Sequence, residues 1–469
     1  MPSPIYTLPL TGHSGKPAES MRVQIGRGLR GTDSPTIPGT TDEDKKWAYK
    51  RSIPPIALYD QEGLRLYDDL TSYGKEYYLF EDELNLLKDH GAEIAAAMGF
   101  PHADVGRWNK SVNGEEGLAA GITHGWDVVE LGAGALRKTA HMLTALADSV
   151  PDLETPPITF YALDLSLPEL DRVLGEMEEG YGSVLNGRVA CVGLHGDYNA
   201  GIKVVQTGTL SSFTSGAVTP SLNASASESG SPGSPTSAHL VTPAMKATDL
   251  STIPNEDELK DLMANLELKD APAVVEGERP LHFLFFGSTL GNFEREAAMS
   301  FLKQLPLRPG DTLLLGLDGR PVPGPEGCNK VELAYNDPKG YNNAFAWNAW
   351  DVVRAELGLV PDHYGIEVTG RYNEIMGRYE RFFRSKKAQV IPLSGDSVEL
   401  DKDELLHVAW SFKYSVSEAM DMFDKADLHL IKSWKAPESG YRLWLLERPV
   451  VGFSPTQERL ASSQPTMGE

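Results

Sequence analysis

The ten residues Trp126-Asp127-Val128-Val129-Glu130-Leu131-Gly132-Ala133-Gly134-Ala135 constrain this chain more than any other stretch. A short apolar run ends in an acid, two glycines alternate with alanines, and a helical pattern continues through Leu136-Arg137-Lys138-Thr139. Strand, tight turn and helix is the economical reading. Gly132 and Gly134 let the backbone approach a ligand closely and take the positive φ angles that such a turn needs. In an open α/β sheet, ligands sit in this crevice, at the carboxyl ends of the strands.

A dinucleotide turn of the Gly-x-Gly-x-x-Gly type needs glycine where this chain has Arg137. The nearby charges are Glu130 before the turn and Lys138 after it. An acid at the strand end favours a cationic, hydroxyl-bearing ligand over a pyrophosphate, and S-adenosylmethionine carries an amino group, a sulfonium and ribose hydroxyls. An ordinary βα turn is the alternative, and the strands downstream decide between the two. Ile158-Thr159-Phe160-Tyr161-Ala162-Leu163-Asp164 reads as a second strand ending in an acid, with Ser166 as the N-cap of the next helix. Asp164 is placed to take two ribose hydroxyls. A third strand over 189–195 leads to Asp197, an acceptor for an adenine amino group, and to Tyr198 beside the ring. Any one of these acids reads as a cap or turn residue; Glu130, Asp164 and Asp197 at successive strand ends read as a binding edge.

The run Leu281-His282-Phe283-Leu284-Phe285-Phe286 is apolar on both faces, the mark of a central buried strand. It ends in Gly287-Ser288-Thr289-Leu290-Gly291-Asn292-Phe293, small and polar where a substrate would meet the cofactor. A fifth strand, 312–318, comes after a helix over 294–305. Strands over 428–434 and 441–447, joined by a Pro-Glu-Ser-Gly turn, close the series as a hairpin. Five βα units and a closing antiparallel hairpin predict an α/β fold of the class I methyltransferase kind. That is a Rossmann-like doubly wound sheet, accompanied by a smaller α+β substrate domain.

The expected organisation is a flexible N-terminal tail over 1–50 and a discontinuous substrate-binding domain over 51–80 and 320–411. The cofactor-binding domain takes 81–205, 255–319 and 412–452. Residues 206–254, dense in Ser, Thr, Ala, Gly and Pro, are expected to be a disordered insertion, with a helix over 255–268 rejoining the fold. Residues 453–469 are expected to form a second flexible tail. Tyrosines crowd positions 59, 67, 73, 77 and 78, as amphipathic packing or as a pocket wall.

A net charge of −23 with pI near 4.9 argues against nucleic acid or an anionic membrane as partner. Cys191 and Cys328 are too few for a disulfide framework and fit a reducing, cytoplasmic setting. No apolar run reaches membrane-spanning length. The eleven histidines make no metal-binding spacing, so no metal is expected. A monomer or homodimer acting on a small molecule is the expected form.

Six motifs together resemble the histidine-specific methyltransferase family. They are Tyr59-Asp60…Gly63, Glu76-Tyr77-Tyr78, Glu130-Leu131-Gly132-Ala133-Gly134 with Lys138-Thr139, Gly287-Ser288-Thr289-Leu290-Gly291-Asn292-Phe293, Ala334-Tyr335-Asn336-Asp337…Gly340…Phe345…Asn348, and Ser411-Phe412-Lys413-Tyr414. The resemblance spans most of residues 53–450. That family includes histidine Nα-methyltransferases of ergothioneine synthesis and fungal dimethylallyltryptophan N-methyltransferases. The resemblance implies that Gly132, Lys138, Asp164, Asp197 and Tyr198 line the S-adenosylmethionine site. It places Tyr59, Tyr67, Tyr77, Asn292 and Tyr335 around the substrate's amino-acid end. Asn292 and Tyr335 take the carboxylate, Tyr59 and Tyr77 lie near the amine, and Gly287 stands where bulk would block the methyl path. Two departures matter. Ala409 occupies the position, two before Ser411, where the histidine enzymes carry the glutamate that grips imidazole. Phe80 and Glu81 replace the usual Thr and Arg after the tyrosine pair.

These readings converge on an S-adenosylmethionine-dependent N-methyltransferase for a tryptophan-derived or related amino acid in fungal secondary metabolism. Histidine methylation, a catalytically silent cofactor-binding protein and a dinucleotide-dependent reductase are the alternatives.

Overall fold

Strands that are apolar on both faces have to be covered from both sides, and in the computed structural model helices do so. The structure describes residues 3–8, 20–101, 125–214, 279–360 and 362–449. The N-terminal part contains β1 (Ile5–Thr7), α1 (Met21–Arg30), α2 (Asp42–Lys45), β2 (Arg51–Ser52), α3 (Gln61–Tyr73) and α4 (Tyr78–Ala97). The βα series comes next, with β3 (Trp126–Leu131), α5 (Thr139–Asp148), β4 (Ile158–Asp164), α6 (Leu167–Leu185), β5 (Val189–His195), α7 (Tyr198–Gln206) and α8 (Leu210–Thr214). It continues with β6 (Leu281–Phe285), α9 (Arg295–Gln304) and β7 (Thr312–Leu317). Then come α10 (Pro325–Tyr335), α11 (Tyr341–Glu356), β8 (Ile366–Asn373), β9 (Arg378–Ser385), β10 (Gln389–Leu393), β11 (Asp396–Leu400) and β12 (Leu405–Phe412). The described chain closes with α12 (Val416–Lys425), β13 (His429–Lys435) and β14 (Arg442–Glu447).

The large sheet has eight strands in the order β1-β5-β4-β3-β6-β7-β14-β13. The pairs from β1 to β7 are parallel, and β14 is antiparallel to both β7 and β13. After β3 the chain runs outward through β4 and β5, then returns to place β6 on the other flank of β3. That reversal opens a crevice at the carboxyl ends of β3 and β6. Side chains alternate across the sheet. Val128, Phe160, Ala162 and Leu284 pack into one core with α4, α5 and α6, while Val129, Tyr161, Phe283 and Phe285 pack into another with α9 and α12. This is the class I methyltransferase architecture expected from the βα rhythm and the closing hairpin.

A second sheet, β2-β12-β9-β8, covers the strand ends, with the β10-β11 hairpin beside it. Its core joins Ile53, Leu58, Trp350, Phe383 and Leu406. Phe412, expected to open the last piece of the cofactor-binding domain, is instead the last residue of β12 and pairs with Arg378 in this small sheet. The crossing comes just after it, where Tyr414 bridges Gly319 beyond β7. Among the described residues no helix is long and apolar enough to cross a membrane.

Two expectations are corrected. The segment 1–50 is not simply a tail: β1 adds an eighth strand beside β5, and α1 buries Ile25 and Leu29 completely against the small domain. Its Pro- and Gly-rich composition conceals a few apolar anchors whose partners lie far along the chain. The insertion also starts later than position 206. Helix α8 is pinned by the Tyr6 hydroxyl donating to the Phe213 carbonyl (2.6 Å) and by Tyr161 donating to Leu210 (3.2 Å). Residues 215–254, the helix expected over 255–268 and the tail over 453–469 lie outside the described residues, as do 1–2 and 9–19. Ile25→Ala is expected to lower stability by about 2–4 kcal/mol in urea denaturation, because it empties a closed site; an unmoved midpoint would restore the tail.

Candidate active site

The crevice is built first by its backbone. Gly132, Gly134 and Leu136 all have positive φ (74°, 51° and 53°), so the chain after β3 is a left-handed loop that needs glycine. The N–H groups of Gly132 and Ala133 donate to the Leu163 carbonyl (3.0 and 3.1 Å), which ties the loop to the end of β4. A Cβ on Gly132 would stand 2.7 Å from the Tyr198 hydroxyl, whereas nothing lies within 4 Å of one on Gly134. The first glycine thus admits Tyr198, and the second leaves open space above the loop.

The three strand-end acids differ in their partners. Asp164 accepts from Gly134 N–H and Ser166 N–H (3.1 Å each), one on each oxygen, so each oxygen retains a lone pair for a hydroxyl. Burial raises its pKa, and those backbone donors oppose the rise. Asp197 caps α7 through Ala200 N–H (2.7 Å), which aims Tyr198 toward Phe285, with ring centroids 5.6 Å apart. Glu130 is only 2% exposed and receives the Thr139 hydroxyl on both oxygens (2.7 and 2.8 Å). A backbone cradle, open space over Gly134 and acceptors on Asp164 fit a ribose-bearing, positively charged cofactor.

Lys138 reaches the same crevice, 3.5 Å from where a Gly287 Cβ would be, but its charge is matched by Glu83 of α4. Glu83 has no exposed surface and also accepts from Gly287 N–H (2.8 Å) and the Tyr441 hydroxyl (2.6 Å). The sequence reading missed this residue. Its signal was available: Leu79, Glu83, Leu86 and Leu87 share one helical face, so an acid lies within an apolar stripe.

Beside the small domain opens a shallow cleft lined by Pro55, Leu58, Tyr59, Asn292, His407, Ala409 and Trp410. A β-bulge between His407 and Ala409 shifts the register of β12, which lets His407, Ala409 and Trp410 border one cleft. Desolvation pushes His407 down to about 3, so the ring is neutral. Tyr59 is 39% exposed and borders the cleft together with Asn292; desolvation raises its pKa and keeps the phenol protonated.

Tyr67, Tyr77 and Tyr335 form a second cluster. Tyr67 meets Tyr77 edge-on with ring centroids 6.3 Å apart, and Tyr77 meets Tyr335 in the same way at 5.8 Å. The Tyr335 hydroxyl lies 2.6 Å from Ser411 Oγ. Phe345 links the two groups, 5.6 Å from both Tyr59 and Tyr67. The structure therefore brings Tyr59, Asn292 and Ala409 to the cleft, with Tyr67, Tyr77, Tyr335 and Ser411 in a cluster joined to it.

The motif residues around them build these positions. Asp60 caps α3 at Gly63 and accepts from Asn348 (2.8 and 2.6 Å), while a Cβ on Gly63 would strike the Leu58 carbonyl at 2.0 Å. Asp337 receives the N–H groups of Tyr341 and Asn342 at the start of α11 (2.9 and 2.7 Å), which turns the chain just after Tyr335.

The pattern of the family described as "Histidine-specific methyltransferase, SAM-dependent" matches residues 37–218 and 249–448. The chain is 28% identical to the L-tryptophan methyltransferase trpM of Psilocybe serbica, across 84% of this chain and 87% of that protein. It is 24% identical to the 4-dimethylallyltryptophan N-methyltransferase easF of Trichophyton verrucosum, across 82% and 85%. Similarity to Ergothioneine biosynthesis protein 1 of Neurospora crassa is 25% over 86% of this chain, and the match spans about a third (34%) of that longer protein.

Glu130 yields a pH prediction. Burial, opposed by Thr139 and Lys138, pushes its carboxyl from 4.5 up to about 8. Between those values the folded protein holds a proton that the unfolded chain has released. The stability this gives is full below 4.5 and is lost as pH rises through 8. Glu130→Gln is expected to gain stability relative to wild type across that window, read from urea midpoints without cofactor. Parallel pH curves would contradict a buried, protonated Glu130.

Proposed function

The chain belongs to the histidine-specific, S-adenosylmethionine-dependent methyltransferase family, and we propose that it methylates the amino group of an amino acid with a bulky apolar ring, of the tryptophan or indole type. The observation that carries this reading is the cleft wall. Leu58, Pro55, Ala409 and Trp410 offer a ring apolar surface, and none of the lining residues is an acid that would hold imidazole. Similarity to a tryptophan methyltransferase and a dimethylallyltryptophan N-methyltransferase supports the same substrate class.

S-adenosylmethionine, when bound, supplies a methyl group already made electrophilic by the sulfonium. The chain's own task is to align the amine lone pair with that methyl and to keep water out. Asp164 and the loop at Gly132 and Gly134 would hold the cofactor, with Asp197 and Tyr198 at its adenine end. Gly287, lacking a side chain, leaves the methyl path clear. Tyr59 orients the amine, and Asn292 is placed for the carboxylate. A phenol held protonated accepts from an amine N–H and does not abstract its proton, so the amine loses its proton to solvent before attack.

Ala409→Glu tests the reading through steady-state methylation of tryptophan and histidine. An unpaired carboxylate in the ring wall is expected to raise KM for tryptophan about tenfold or more, and to favour histidine, which can pair with it. Wild-type turnover of histidine over indole substrates, or an Ala409→Glu variant with unaltered KM for tryptophan, would overturn it.

A further inference from the structure

Lys413 belongs to a motif that the cofactor and ring sites leave unused. It lies two residues after Ser411, one past the end of β12, and its side chain reaches back to the Ser411 hydroxyl. Its side chain is completely buried, and Nζ lies 2.6 Å from Asp318 Oδ2, 2.9 Å from the Tyr335 hydroxyl and 3.2 Å from Ser411 Oγ. An ammonium has three donors and no acceptor, so these three oxygens use all of them. Burial works against the charge, but Asp318 and Tyr335 hold the Lys413 pKa above the usual lysine value, and the group is cationic.

That cation sets the polarity of both hydroxyls. Each oxygen accepts from Lys413, and the two hydroxyls lie 2.6 Å apart, sharing one hydrogen between them. Two O–H hydrogens are present and one is engaged in that bond. The other remains as a donor, with a cation about 3 Å behind its oxygen. Asp318 anchors the ammonium from the far side and also accepts from Tyr78 (2.9 Å). A donor backed by a buried cation suits a carboxylate and opposes an ammonium.

We propose that Lys413 is a positioning residue that leaves the Tyr335–Ser411 hydroxyl pair one outward O–H donor for the substrate carboxylate, so that the site selects amino acids over the corresponding amines. This inference rests on the reading of the substrate as an amino acid presented beside Tyr335. It predicts discrimination at the carboxylate independently of which ring fills the cleft.

The test is calorimetric binding to protein saturated with S-adenosylhomocysteine, using two pairs: tryptophan with tryptamine, and histidine with histamine. Wild type is expected to favour the carboxylate-bearing member of the pair it takes. Lys413→Met is expected to cut that preference about tenfold, the scale of a lost charge-assisted hydrogen bond. Ser411→Ala should reduce it in the same direction by a smaller factor, and it decides the matter if Lys413→Met does not fold. A general packing defect would weaken both members of a pair equally and leave their ratio unmoved, which overturns the proposal. Equal binding of acid and amine by wild type overturns it too. Selection within the histidine pair alone would refute the indole reading while upholding the role of Lys413.

Discussion

A carboxylate with no solvent contact must be met by donors from several directions, and Glu83 is met by three parts of the chain. Lys138 comes from the loop after β3, Gly287 N–H from the end of β6, and Tyr441 from the start of β14. Glu83 itself sits on α4, a helix that precedes the sheet in sequence. Removing this acid would leave a nearly buried ammonium, 15% exposed, and an unmatched hydroxyl inside the protein. One side chain thereby locks the cofactor loop, the end of the central strand and the closing hairpin in register around the crevice.

From that junction the two halves of the site extend in opposite directions. On the sheet side, acids lie at the end of β4 and just beyond β5, and their spacing comes directly from parallel pairing: Asp164 stands beside His195, two residues before Asp197. On the other side, the bulge in β12 sets the cleft. In a regular strand His407 and Ala409 would share a face from which Trp410 is excluded; the shifted register lets all three border one cleft. The lobes are laced where Lys413 meets Asp318 and Tyr414 bridges Gly319. The cluster around Tyr335 is thus held by the residue just past β7 as well as by its own sheet.

Much of the sheet was legible because doubly buried parallel strands leave long apolar runs. Those runs end in acids and glycines, as at Glu130, Asp164 and Gly287. Long-range partners were not legible. Ile5 and Ile25 look like isolated apolar residues in a Pro- and Gly-rich segment until β5 and the small domain provide their surroundings. Phe213 is likewise anchored by Tyr6 from the far N-terminus. Glu83 could have been flagged by its place on an apolar helical stripe, but its partners span more than 300 residues of chain. The significance of Ala409 came from the family resemblance. No periodicity marks an alanine as a missing acid, and the cleft then set it beside Trp410.

The central claim is that an apolar-walled cleft adjoins a cofactor site formed at the strand ends. Its most direct measurement is calorimetry of S-adenosylhomocysteine binding, then titration of prenylated tryptophan and of histidine into the saturated protein. The account predicts cofactor-product binding first, and then uptake of the indole compound with little heat from histidine. A protein that binds no S-adenosylhomocysteine, or that takes histidine in preference to the indole compound once saturated, would contradict it.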